Sequence, residues 1–175
     1  MKLHYSLLMI VVFLLTSYAS AQSEKAINLY TQGNQAMQYA NYTEAFNAFD
    51  QAVKLSPDVY PFVYNRGTVA LMLHKDSIAI HDFKKAIELD PESEEAFIGL
   101  GKSYDDARLY ADAVSAYEKA LSINPKNAEI TDRKALSLVF ADRRQDACAT
   151  FDKAIELGAS MAQVHKDTYC KKEYH

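Results

Sequence analysis

The chain repeats itself at one fixed interval. Counted from residue 26, it divides into equal blocks 26–59, 60–93, 94–127 and 128–161 with no insertion or deletion. Gly33, Gly67, Gly101 and Ala135 share one position of the frame, and Ala45, Ala79, Ala113 and Ala147 a second. Phe49, Phe83, Tyr117 and Phe151 share a third, with Ala52, Ala86, Ala120 and Ala154 three residues beyond. Pro57, Pro91 and Pro125 close the first three blocks, and Ala159 stands where the fourth would have its proline. A period of this length is one supersecondary unit copied along the chain, which must stack on its neighbours to bury its apolar side.

Each block reads as two helices and a turn. In the third, Phe97, Leu100, Gly101 and Tyr104 follow the i, i+3, i+4, i+7 spacing of a one-sided helix. After Arg108-Leu109-Tyr110 the same spacing returns at Ala113, Tyr117, Ala120 and Leu121. Asn124-Pro125 ends this second helix, because proline has no N–H to donate and biases the residue before it away from helix. Small Gly101 and Ala113 let the paired helices approach, and Tyr117 fills the space beside them.

These series, with Tyr42 and Tyr110 at the inter-helix turn and Leu29, Val63 and Phe97 near the first-helix starts, resemble the tetratricopeptide repeat family across the whole span 26–161. The resemblance implies an all-α fold: a right-handed α-solenoid of four helix-turn-helix repeats, with residues 162–174 as a C-terminal capping helix. The fourth block departs furthest from the pattern, with Thr131 near its helix start, Arg144 for the turn tyrosine and Ala159 for proline. Terminal repeats adapt in this way to a cap.

The family also implies binding rather than catalysis, with the first helices lining a concave groove that holds a peptide or protein. Register proposes Tyr30, Asn34 and Met37 from the first block, Tyr64, Thr68 and Met72 from the second, Ile98, Lys102 and Asp105 from the third, and Asp132, Leu136 and Val139 from the fourth. Tyr30 and Tyr64 occupy matching slots, where exposed aromatics would anchor a partner; the alternative is that such residues complete packing between helices. Co-chaperone members of the family hold two carboxylates with lysine, asparagine and arginine. Here Asn34 and Asn65 occupy matching slots, but Tyr30, Glu95 and Gly99 stand where the cations belong, so that ligand is disfavoured. Glu95, Asp105, Asp106, Glu129 and Asp132 gather at that end instead, which favours a neutral or basic ligand unless they form a solvated face.

The first twenty-one residues read as a secretory signal: MKLHY, the apolar run SLLMIVVFLL, and Ala19-Ser20-Ala21 before a cleavage expected between Ala21 and Gln22. Residues 22–175 would then form the exported domain, in a bacterial periplasm or beyond it. The net charge of −4 becomes −5 once Lys2 is removed, and no Lys/Arg cluster exists to displace counterions from nucleic acid. The mature protein would not insert in a membrane.

No phosphate loop, GxSxG, HExxH or CxxCH motif occurs, and no catalytic set, metal site or cofactor is expected. A zinc site of Cys148, Cys170 and His165 would need thiolates in an oxidising compartment and a fourth ligand. Cys148 and Cys170 each lie eleven residues from Ala159, so an antiparallel hairpin brings them to one height, as a disulfide requires; two buried free thiols are the alternative. Two functions follow: an envelope scaffold gripping a protein or peptide partner, or a module that self-associates through its solenoid ends into a homo-oligomer.

Overall fold

The computed structural model describes residues 22–171, and the signal sequence and its cleavage site lie outside that range. The described residues form helices and turns with no strand. Helix α1 runs over 22–38, followed by α2 (Tyr42–Leu55), α3 (Tyr60–Met72), α4 (Asp76–Leu89), α5 (Glu94–Asp106), α6 (Tyr110–Ile123), α7 (Ala128–Phe140), α8 (Arg144–Glu156) and α9 (Ala162–Tyr169). From α2 onward each helix packs on the next in the chain, and in addition α3 touches α5 and α7 touches α9, while α1 meets α2 through Ala36, Ala45 and Phe49. The first helices therefore lie along one side of an α-solenoid.

The turn inside each hairpin is the same left-handed cap four times over. Ala40, His74, Arg108 and Asp142, each one period after the last, have φ of 56°, 53°, 58° and 59°. In each the following amide reaches back five residues, as in Asn41 N–H to Ala36 O at 2.9 Å and Lys75 N–H to Ala70 O at 2.8 Å. This pattern satisfies the last carbonyls of the first helix, and it favours glycine at the left-handed position, which none of the four residues is.

The turns between repeats differ at the end of the stack. Ser56, Asp90 and Asn124 leave their helices in extended conformation ahead of proline. Gly158 instead takes φ of 89°, and the Ala159 amide returns to Ala154 O at 2.9 Å. The missing fourth proline thus reflects a different way of ending the helix rather than a lost boundary.

The recurring small and aromatic residues make the core. Phe49, Phe83, Tyr117 and Phe151 are fully buried, as are Ala45, Ala79, Ala113 and Ala147. A Cβ on Gly101 would lie 2.5 Å from the Tyr117 ring, so the aromatic occupies the space that glycine leaves. Thr131, buried where other repeats are apolar, donates its hydroxyl to Asn127 O at 2.9 Å.

Polar struts cross the same interior. Arg66 on α3 donates from Nε and Nη2 to the two oxygens of fully buried Asp82 on α4, both at 2.7 Å, and from Nη1 to Asp50 on α2 at 2.8 Å. The paired Asp82 carboxylate strengthens the guanidinium's hold on its proton against the cost of burial. Burial pushes the Asp50 carboxyl up, but hydrogen bonds from Lys54 and Arg66 outweigh it and hold the group below its ordinary value.

The capping helix exists but is shorter than 162–174: it ends at Tyr169, and residues 172–174 lie outside the described range. Cys170 is its C-cap rather than a helical residue, because the amide still bonds to Lys166 O at 2.8 Å while the chain leaves the axis. The disulfide to Cys148 on α8 is formed, with Cα atoms 5.8 Å apart.

Candidate partner-binding groove

The expected groove residues divide into those that remain available and those the fold has already used. Tyr64, Thr68, Ile98 and Lys102 come together in one cleft of about 240 Å³ between α3 and α5, joined by Leu71, Glu95, Phe83 and Gly99. At its floor the Phe83 ring is seated against Gly99, where a Cβ would stand 2.4 Å from the ring. Any side chain there would displace that ring. Its walls are apolar at Leu71, Phe83 and Ile98, with Tyr64 set edge-on to Phe83 at 5.7 Å between ring centroids. Burial raises the Tyr64 phenol's pKa above its ordinary value, and Glu95 adds to that rise against the Thr68 hydrogen bond.

Met72 is not part of this surface. One residue on a helix turns the side chain by about 100°, so Leu71 faces the cleft while Met72 points to solvent at the end of α3, 46% exposed. Met37, in register with Leu71, is partly buried against Ala36, Ala45 and Phe49.

The first-repeat polar residues are bonded to the second repeat. Asn65 Nδ2 donates to Asn34 Oδ1 at 3.1 Å and to Tyr30 Oη at 3.2 Å. The Tyr30 ring packs on Phe62 and Phe49 at 4.9 and 5.7 Å, so its main role is to seat α1 on α2 and α3. The two asparagines thus form an inter-repeat clip, as the packing alternative for these positions holds.

The acidic end of the groove is also largely spent. Asp105 accepts from Tyr117 Oη at 2.8 Å and Ser137 Oγ at 2.7 Å, tying α5 to α6 and α7. Burial raises its carboxyl pKa, with the two hydroxyls and Arg133 acting in the opposite sense. Asp132 is buried, and both its oxygens face His165 Nδ1 on α9 at 2.8 and 3.0 Å. Glu129 accepts from the Ser160 amide and hydroxyl at 3.3 Å. Leu136 and Val139 are partly buried with Phe151, Tyr169 and Cys170. Asp105 and Asp132 are therefore struts that carry the solenoid from one repeat to the next, and the expectation of an acidic docking face is overturned at these positions.

Lys102 is the exception among these charges. It is half-buried on the cleft wall, and no ion pair or hydrogen bond to a carboxylate engages it among the described residues. Burial lowers its ammonium pKa, and the one charge that adds to the shift is another cation, Arg133 on α7.

No nucleophile and base are brought together in the cleft. Both thiols are consumed by the disulfide, so the zinc alternative is gone. His74, Asp76 and Asp106 do converge at the α3–α4 turn, with ligand atoms within 4.8 Å of one another. Their His74–Asp106 contact is 3.6 Å with side chains 82% and 42% exposed, and such a solvated pair contributes little. No described helix is long and apolar enough to cross a membrane.

Comparison with known proteins agrees with this architecture. A family model described as tetratricopeptide repeat matches residues 77–128. Among solved structures, YrrB, described as a TPR protein with an unusual peptide-binding site, superposes with a TM-score of 0.78 at 21% identity, covering 94% of this chain and 89% of that one. A crystal structure of MamA gives 0.74 at 25% identity, covering 82% and 79%. MamA from Desulfovibrio magneticus RS-1, residues 41 to the end, gives 0.73 at 24% identity, covering 77% and 76%. A comparison with curated proteins found no match.

Proposed function

Because the chain is a tetratricopeptide-repeat protein, we propose that it is an interaction scaffold of the bacterial cell envelope that grips a protein or peptide partner on the face lined by its first helices. The observation that carries this reading is the α3–α5 cleft. It is open and walled by Tyr64, Leu71, Phe83 and Ile98, with the Phe83 ring seated against Gly99. A side chain anchored in a desolvated pocket is how a few residues come to dominate binding. The likeness to YrrB supports a peptide as the occupant.

The envelope setting rests on the signal-like first twenty-one residues and on the disulfide, which persists in oxidising compartments. No part of this function calls on catalysis.

The test is a photo-crosslinking residue placed at Ile98 in the cleft, with Ser115 on exposed α6 as the control position. Adducts specific to position 98 in native envelope are the expected result. Equal adduct patterns at both positions, or none at 98, would refute the groove. Light scattering on the mature chain tests the self-association reading, which a monomer contradicts.

A further inference from the structure

We infer that the partner of the groove is acidic: it presents an aspartate or glutamate side chain to Lys102, next to an apolar side chain that enters the α3–α5 cleft, on a segment that runs through the groove. This rests on the reading of that face as the binding surface, and it names the chemistry bound there.

The argument is one of charge left over after the fold has taken what it needs. An ammonium that is partly desolvated without a counter-charge is held at a cost, which a ligand carboxylate would offset. Lys102 is such a group, and the guanidinium of Arg133 adds to the cost of its charge. The acids that could have answered it point elsewhere: Asp105 to Tyr117 and Ser137, Asp132 to His165, and Glu129 to Ser160. Arg133 itself has no carboxylate within ion-pair distance among the described residues, although Asp105 lies within reach of its field. A carboxylate at Lys102 would therefore supply the counter-charge that the fold withholds, in a place where the field of Arg133 is also positive.

The same cleft gives the ligand a direction. Glu95 lines it on α5, about two helical turns before Lys102, and is only weakly held by Ser93 Oγ at 3.5 Å. The acidic group of the partner belongs at the Lys102 end and is repelled from the Glu95 end, with the apolar anchor on Phe83 and Gly99 between them. A side chain fits better than a chain terminus. A terminal carboxylate calls for several converging donors, and the adjacent amides of Asn34 and Asn65 are already bonded to one another and to Tyr30.

The experiment is selection of random linear peptides on the immobilised mature chain, in two formats: peptides fused through their C-termini, and peptides with free C-termini. Expected from the fused format are sequences with Asp or Glu close to a large apolar residue. In fluorescence anisotropy with a selected peptide, Lys102→Gln should weaken binding about tenfold, as for loss of a charge-assisted hydrogen bond. Lys102→Glu should turn the selection toward Lys and Arg, and Ile98→Asp should abolish it. Lys102→Gln should keep the wild-type melting temperature or exceed it, because it removes a desolvated charge.

Neutral or basic selected peptides, or binding unchanged by Lys102→Gln, would overturn the acidic partner, while loss with Ile98→Asp would leave the groove standing. Selection confined to free C-termini would overturn the side-chain assignment. Binding indifferent to Ile98→Asp, or no selected peptide at all, would count against the groove itself.

Discussion

Replacing Cys148 and Cys170 with alanine removes a bond between residues 22 apart in sequence, one on α8 and one at the end of α9. In the chain-entropy treatment a loop of that length restricts the unfolded chain by about 3 kcal/mol. What else holds α9 is modest. Ala162 is buried, His165 meets Asp132, and Tyr169 lies edge-on to Phe140 at 6.1 Å. The Lys166–Asp152 pair is solvated and contributes less than about 1 kcal/mol. The helix has only eight residues, too few to persist alone. The loss should therefore appear first as local opening of α9. Hydrogen exchange read by mass spectrometry should show amides of α9, including the one Cys170 donates to Lys166 O, exchanging about a hundredfold faster. Exchange in α3 to α6 should be unchanged. If α9 exchange and the urea midpoint both match the wild type, the buried contacts alone hold the cap and the entropy argument fails. Full alkylation of the unreduced protein would show that the bond is not made.

Three further outcomes follow from the polar and turn geometry. Arg66→Met leaves the fully buried Asp82 carboxylate with only His81 Nδ1, at 3.1 Å, and should cost about 3–5 kcal/mol in urea unfolding, with Asp82→Leu in the same chain recovering much of it; a loss under about 1 kcal/mol would mean that water or His81 satisfies Asp82. Glycine at Ala40 or Arg108, both left-handed, should raise stability by about 0.5–1 kcal/mol each in calorimetry, and no change would mean the turn relaxes to suit its present residue. Asp50 has its folded pKa below the ordinary 3.8, so its contribution is present above that value and lost as pH falls below it; Asp50→Asn should flatten this part of an acid titration of stability.

The period, the hairpins and the small-against-large core were legible because they repeat in kind. A glycine opposite an aromatic recurs at Gly33 with Phe49 and at Gly101 with Tyr117, and each copy reinforces the reading of the others. The groove face was legible as a set of positions but not as a set of available groups. Whether a polar residue is free depends on a partner about one repeat away. Asn65 meets Asn34 and Tyr30, Ser137 meets Asp105, and His165 meets Asp132, at separations of 31 to 35 residues. A search for donors and acceptors paired one period apart would have marked Asp105 and Asp132 as struts, and would have left Lys102 standing without a complement. The left-handed turns were hidden for the opposite reason: Ala40, His74, Arg108 and Asp142 have nothing in common chemically, and only the backbone repeats.

Helix α9 begins at Ala162, one full period after α7 begins at Ala128, so it stands in the register of the first helix of a fifth repeat. The disulfide stands at a matching place. Cys148 lies one period past Val114 and Cys170 one period past Leu136, and those two share an apolar cluster between α6 and α7. The bond thus occupies the position of a hydrophobic contact between one second helix and the next first helix. If it substitutes for that contact, Cys148→Val with Cys170→Leu should recover about 1–2 kcal/mol over the alanine pair in urea unfolding, the worth of partly buried aliphatic side chains. Equal midpoints for the two variants would mean that α9 meets α8 in a geometry the repeat does not use, and that the covalent bond, rather than the repeat register, sets the position of the last helix.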